Sequence, residues 1–300
     1  MELVQRVFLK RLRVFRTLVV ALGYCARNAG HLFVLVWFAC ALNSACRTGL
    51  EWLVYGFPPR MPQWLIFHVF DPPTWLTPVL SAPLVAMAWA FVLSHICDRN
   101  PNRGVIAVFE RRLDWIRFEL SRPVLLGASI FLVTDVLDSI VQVTELKLFL
   151  AVYDPSADPE FVINLAALFG SMLRTVVLSL VAAWTYPIAA QALRMGKLDR
   201  ALLAGDLRGN RLRLWAIFFL LNVALALFGG LFRLASDWIL QSPDPPISWA
   251  LRDTVIRRVI EFPFDVLWIV AWAATTAIAM KALASDPAAA ELDRRAPRPA

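Results

Sequence analysis

Hydrophobic residues in this chain fall into six long blocks, separated by short polar or proline-containing stretches. The blocks cover residues 31–55, 75–97, 123–146, 161–193, 214–234 and 263–284. Each reaches the roughly 17–25 residues that a helix needs to cross a bilayer. None has the ten-residue alternation of a membrane barrel strand. Because only helices then satisfy the backbone in lipid, the pattern predicts an all-α bundle of six transmembrane helices.

A short, basic and amphipathic stretch precedes the first, third and fifth blocks. These stretches cover residues 7–16, 108–118 and 198–203. Each leads to an arginine at the start of a block, and Arg27, Arg122 and Arg211 recur at a nearly regular interval. The pattern predicts a single membrane domain over residues 1–285, built as three hairpins that each follow an interfacial elbow helix. The three predicted units are residues 1–98, 99–193 and 194–285. Residues 286–300 are predicted to form a flexible cytoplasmic tail.

Composition supports the membrane assignment. The chain is 59% hydrophobic and 18% charged, with a mean hydropathy of +0.61. Soluble domains are nearer 45–50% apolar and about 25% charged. These values exclude an ordinary soluble enzyme, a disordered chain and a disulfide-rich secreted module.

The positive charges are sorted to one side of the predicted bundle. Of 30 basic residues, 22 fall on the side of the two termini and seven on the other, while Arg174 lies within a block. The positive-inside rule therefore predicts that both termini are cytoplasmic. Anionic lipid headgroups are sufficient partners to explain the net charge of +7. We expect no binding of nucleic acid. Arginine far outnumbers lysine and alanine is abundant, which favours a GC-rich bacterial source and hence the inner membrane.

Arginines of the elbow stretches are the candidate contacts to lipid headgroups. They are Arg11, Arg13, Arg16, Arg111, Arg112, Arg117, Arg208, Arg211 and Arg213. In an interfacial helix such side chains extend along the apolar surface toward lipid phosphate. One interpretation is that the elbows only anchor the bundle. The other is that they recognise lipid, or form a docking site for a protein partner or a second copy.

The third elbow resembles a motif of a known family. Residues 198–201 read Leu-Asp-Arg-Ala, and residues 208–214 read Arg-Gly-Asn-Arg-Leu-Arg-Leu before an apolar block. This is similar to the elbow of a six-span bacterial family that includes the membrane domain of some glycerophosphodiester phosphodiesterases. The resemblance implies the three-hairpin fold. The resemblance does not imply an enzymatic reaction, because the catalytic barrel of those enzymes has no counterpart in these 300 residues.

Three charged residues lie inside predicted membrane helices. Asp135 and Asp138 are three residues apart and so share one helix face, about 18 Å or more along the third block at ~1.5 Å per residue. Arg174 lies about 20 Å into the fourth block from its other end. Since the two blocks are joined by a short turn, we expect Arg174 to meet Asp135 or Asp138.

Ionisable groups in the membrane are candidates for function because burying their charge is costly. With one arginine for two acids, one carboxylate can stay protonated and titrate, as in a proton relay. The alternatives are an ion pair that fixes helix packing, or a position near a wet outer cavity.

Two further residues are secondary candidates. Asp265 falls in the first turn of a helix that starts at Pro263, where it stabilises the helix dipole. His95, near the inner end of the second block, is expected to pack or to lie at the interface. The sequence contains no catalytic motif and no metal-binding spacing, so it predicts no catalytic site, no metal site and no cofactor.

Two functions follow from these patterns. The first is a non-enzymatic, multi-pass inner-membrane protein that binds or organises lipid, or serves as the membrane subunit of an assembly. The second is a small proton-coupled transporter or exporter that uses Asp135, Asp138 and Arg174. A dry bundle interior above a basic ring favours the first, and a polar cavity at the acids favours the second.

Overall fold

The computed structural model describes residues 12–55, 72–97, 122–152, 159–195, 210–239 and 247–284, and all regular secondary structure within these ranges is helical. The helices are α1 (Val14–Arg27), α2 (Ala29–Tyr55), α3 (Pro72–Cys97), α4 (Arg122–Val152), α5 (Pro159–Met195), α6 (Arg211–Ile239) and α7 (Ile247–Ala284). The all-α prediction is therefore confirmed for the described part of the chain.

Five of the described helices are long and apolar enough to cross a membrane. The apolar segments are Ala29–Leu50 in α2, Pro78–Ile96 in α3, Met172–Leu193 in α5, Arg211–Phe232 in α6 and Phe262–Leu283 in α7. At ~1.5 Å per residue, segments of 19–22 residues cover about 30 Å of hydrocarbon. The chain thus has the helices of a multi-pass membrane protein.

Helices α4 and α5 run antiparallel to each other, and so do α6 and α7. Thr134 of α4 contacts Thr185 of α5, and Gly127 of α4 lies against Leu193 of α5. In the same way Phe218 of α6 stacks on Trp272 of α7. Helix α1 packs mainly against α7 and α6. We call the end of the bundle where α1 lies the α1 end.

A layer of aromatic side chains fills the middle of the bundle. Tyr186 of α5 has ring contacts with four other rings, at centroid distances of 4.8–5.9 Å. The five rings, which we call the aromatic layer, are Trp89, Phe131, Tyr186, Phe218 and Trp272. Apart from Tyr186, each is at most 4% exposed. Edge-to-face and stacked contacts of this kind stabilise a core beyond its burial alone.

Large apolar side chains also cover the outside of the helices. Val133 of α4 is 55% exposed, Leu180 of α5 is 50% exposed and Leu227 of α6 is 71% exposed. A soluble protein rarely shows such a continuous apolar surface, whereas lipid tails match it. The exterior therefore agrees with the membrane assignment.

Helix α7 differs from the sequence prediction. We expected a membrane helix that starts at Pro263, but α7 runs without a break from Ile247 to Ala284 with Pro263 inside it. Proline removes one backbone N–H from a helix, and here the helix tolerates the loss. Asp265 is consequently not in a first turn. It lies in the interior of α7, where it is exposed and within electrostatic range of Cys40.

The first predicted elbow is described only from Leu12 onward. Helix α1 begins at Val14, and its N-cap residue Arg13 has an extended backbone; residues 7–11 lie outside the described residues. Phe15 is 73% exposed and Val19 is 68% exposed, whereas Thr17, Ala21 and Cys25 face the bundle. The other two predicted elbows (residues 108–118 and 198–203) and the predicted tail (residues 286–300) lie outside the described residues.

Candidate functional site

Arg174 and Asp138 form a two-point ion pair between α4 and α5. Arg174 Nε donates to Asp138 Oδ1 at 2.9 Å, and Arg174 Nη2 donates to Asp138 Oδ2 at 2.7 Å. The side chains are 42% and 22% exposed, respectively. This parallel arrangement is the strongest geometry of an arginine–carboxylate pair. The expected contact between Arg174 and one of the two aspartates is present, and both hydrogen bonds go to Asp138.

The arginine side chain reaches along the bundle toward the α1 end. The contact of Thr134 with Thr185 sets the register of the antiparallel helices. By that register the residue of α5 level with Asp138 is about two helical turns closer to the α1 end than Arg174. An arginine near the end of an apolar segment ordinarily extends outward to water. Here the carboxylate of Asp138 holds the guanidinium inward instead.

Asp135 lies one turn closer to the α1 end, between the ion pair and the aromatic layer. It is half-buried, and both Asp135 and Asp138 interact electrostatically with Tyr186. The structure therefore gathers the three predicted charged residues on one side of the α4–α5 hairpin. Sequence spacing had not indicated the neighbouring tyrosine, because it depends on how α5 is rotated about its axis.

Buried polar groups close to this site bond to one another. Asn222 Nδ2 donates to Ser179 Oγ at 3.3 Å, and Ser179 Oγ donates to the Thr175 carbonyl at 2.6 Å. The hydroxyl oxygens of Thr134 and Thr185 lie 3.2 Å apart, within hydrogen-bond distance. Groups satisfied in this way stabilise contacts between helices and do not themselves require water in the interior.

At the α1 end, Asn210 and Arg213 hold the segment before α1 against the start of α6. The backbone N–H of Leu12 donates to Asn210 Oδ1 at 3.0 Å, and Arg213 Nη1 donates to the Leu12 carbonyl at 2.9 Å. Asn210 is 1% exposed. Both backbone groups of Leu12 are thus bound by side chains 198 and 201 positions later, which no local sequence signal could have indicated.

Basic side chains from three parts of the chain lie at the α1 end. Within the described residues they are Arg13, Arg16 and Arg27 near α1, Arg211 and Arg213 of α6, and Lys281 of α7. Arg211 also lies over the Trp184 ring, 3.6 Å from its centroid, a cation–π contact. Of the other predicted headgroup contacts, Arg11, Arg111, Arg112, Arg117 and Arg208 lie outside the described residues.

His95 has a defined environment at the same end. His95 Nδ1 and Tyr24 Oη share a hydrogen bond of 2.6 Å, and the His31 ring lies 5.3 Å from the His95 ring. These contacts join α1, α2 and α3, as a packing residue would. Among the described residues, no cluster of three or more histidine, cysteine, aspartate or glutamate side chains could hold a metal ion.

Comparison of the chain with protein families, with curated proteins and with solved structures finds no match. Function is therefore inferred from the site itself.

Proposed function

We propose that this chain is a non-enzymatic, six-span protein of a bacterial inner membrane that binds anionic lipid headgroups with its α1 end. The observation that carries this proposal is the grouping of basic side chains. Arg13, Arg16, Arg211, Arg213 and Lys281 approach one end of the bundle from α1, α6 and α7. These five residues, here called the basic ring, form a group of cations at the end of an apolar bundle, and such a group attracts anionic lipid.

Helix α4 supplies the sixth span in this proposal. It packs against α3 and α5, which both carry apolar segments of membrane length, and it contains Asp135 and Asp138. An even number of spans places both termini on one side. The excess of basic residues on that side then orients the α1 end toward the cytoplasm. This is also the architecture that the elbow resemblance implies.

The aromatic layer favours lipid binding over transport. Trp89, Phe218 and Trp272 are nearly inaccessible, and they occupy the middle of the bundle where a substrate path would run. The apolar exterior offers a large surface to lipid. We therefore propose a role in organising lipid, or as the membrane subunit of an assembly with a protein partner or a second copy.

Thermal unfolding in nanodiscs tests this function. Wild-type protein is compared in discs of phosphatidylglycerol and of phosphatidylcholine with matched acyl chains. Specific binding to the folded state raises the Tm by mass action, so we expect a higher Tm in the anionic discs and loss of the difference at high salt. Equal Tm values in both lipids at low salt would contradict the proposal.

The second candidate function is proton-coupled transport. It is favoured by one observation, the presence of two carboxylates beside a single guanidinium, with Asp135 half-buried one turn from the Asp138–Arg174 pair. Proton flux into vesicles carrying the reconstituted protein tests it. Transport predicts flux that Asp135→Asn abolishes. Flux equal to that of protein-free vesicles would reject it.

A further inference from the structure

An open cavity of about 390 Å³ lies between α1 and α7 at the α1 end. Its polar lining is Arg13, Arg16 and Thr17, and its apolar lining includes Leu12, Val20 and Ile278. Both arginine side chains are exposed. The cavity thus presents two positive charges beside an apolar wall.

Helix α1 begins at this cavity without a capping group. Its N-cap residue Arg13 makes no side-chain capping hydrogen bond, and its first turn contains no acidic residue. The first intrahelical bond runs from Thr17 N–H to the Arg13 carbonyl. The N–H groups before it have no acceptor within the helix, and the positive end of the helix dipole adds to the arginine charges. An anion would accept hydrogen bonds from these N–H groups and would balance the positive charge.

Thr17 provides a separate observation that points to a ligand. Its side chain is 6% exposed and lines the cavity, yet its hydroxyl has no hydrogen-bond partner among the described residues. Thr134, Thr185 and Thr276 each donate to the carbonyl four positions earlier. Thr17 makes no such bond to Arg13, the N-cap residue of α1, whose backbone is extended. The hydroxyl of Thr17 is therefore available to donate to an oxygen of a ligand in the open cavity.

The surroundings identify the source of that oxygen as a lipid. Val20 and Ile278 line the cavity, and Phe15 and Val19 on the same helix are largely exposed. An inorganic anion would gain nothing from these apolar groups, whereas an acyl chain would cover them. Phosphate oxygens would meanwhile meet Arg13, Arg16 and the free N–H groups of α1.

We propose that this cavity binds the phosphate group of one anionic phospholipid, with Arg13, Arg16 and Thr17 as its ligands and Val20 and Ile278 along the acyl chain. This inference rests on the proposed function and assigns it to a defined site. It predicts one tight lipid in addition to the loosely held lipids of the basic ring.

Native mass spectrometry of the full chain in detergent, titrated with phosphatidylglycerol, tests the site. We expect Arg16→Gln to weaken the first bound lipid by about fivefold or more, as loss of one cation near phosphate predicts. Thr17→Val is expected to weaken it as well, and Thr17→Ser, which keeps the hydroxyl, to bind as wild type does. Arg27→Gln is the matched control, because it removes the same charge from the other end of α1, where Arg27 Nε bonds to the Gly23 carbonyl.

The possible outcomes distinguish the proposed cavity site from the proposed function, the binding of anionic lipid at the α1 end. Equal weakening by Arg16→Gln and Arg27→Gln would overturn the cavity site and leave general binding to the basic ring intact. Equal binding of phosphatidylglycerol and phosphatidylcholine to wild type would overturn both proposals. Displacement of the first lipid by millimolar inorganic phosphate would show a site for the free anion, and would overturn the assignment to lipid.

Discussion

Arg174 contacts Asp138 through two parallel hydrogen bonds, although the two residues are not level with each other on their helices. The arginine extends toward the middle of the bundle to make the contact. Removing either partner leaves a charge in a largely apolar setting, which costs more than the loss of both. The pair is therefore expected to stabilise the packing of α4 against α5.

We expect Asp138→Asn and Arg174→Gln each to destabilise the protein by about 1.5–3 kcal/mol, the range for hydrogen bonds to charged groups. The double variant should recover most of the loss, because neither charge is then unpaired. Thermal unfolding in detergent and the folded level in membranes measure both. Full stability of either single variant would show that the pair does not hold the helices together.

Adjacent glycines in α6 give a matched test of helix packing. A Cβ at Gly229 would lie 2.7 Å from Phe264 Cζ, whereas a Cβ at Gly230 would meet nothing within 4 Å. We expect Gly229→Ala to cost about 1–3 kcal/mol through overpacking, and Gly230→Ala to leave stability unchanged or to raise it by up to about 1 kcal/mol. Thermal unfolding distinguishes them, and equal effects would contradict the contact of α6 with α7.

The aromatic layer predicts a large loss of stability when one of its buried rings is removed. Trp89→Ala removes a side chain that is 2% exposed and in ring contact with Phe131 and Tyr186. We expect a loss of about 3–5 kcal/mol. Leu227→Ala, at a side chain 71% exposed, is the control and should change the unfolding temperature little. A similar loss in both variants would argue against a tightly packed interior.

Cys25 predicts a dependence on pH. It lies in α1, outside the five membrane-length segments, and burial raises the pKa of its thiol from 9.0 to about 11. Because the unfolded chain releases this proton near pH 9 and the folded chain near pH 11, the stability that Cys25 contributes is complete below pH 9 and falls between these values. The folded thiol should also react slowly with maleimide at neutral pH.

Labelling at pH 7.5 checks the state of this thiol. In a background where Cys25 is the only cysteine, we expect slow reaction that denaturant accelerates. Moving the single cysteine to the exposed position of Val19 should give rapid reaction in the folded protein. If Cys25 reacts as fast as the cysteine at position 19, α1 does not pack on the bundle as described.

Sequence patterns predicted the membrane helices well, because a long apolar block has few alternatives in lipid. They also predicted that Arg174 lies close to the two aspartates, since sequential helices joined by a short turn lie antiparallel. They did not select Asp138 over Asp135. That choice depends on the relative rotation of α4 and α5, which Thr134 and Thr185 reveal only once the helices are packed.

Other features were inaccessible for similar reasons. Proline at position 263 was expected to begin a helix, but flanking residues sustain α7 through it. The bonds of Asn210 to Leu12 and of Tyr24 to His95 join residues far apart in sequence. The cavity between α1 and α7 could not be predicted either, because it depends on the start of α1 at Val14, which places an uncapped turn beside α7.

The most direct test of lipid binding at the α1 end is the composition of lipids retained by the protein. The chain is extracted from bacterial membranes in copolymer discs, and the retained phospholipids are compared with those of the whole membrane. We predict enrichment of anionic lipid, and loss of that enrichment when Arg13, Arg16, Arg211 and Arg213 are replaced by glutamine in a variant that remains folded. Retained lipid with the composition of the whole membrane would contradict the account.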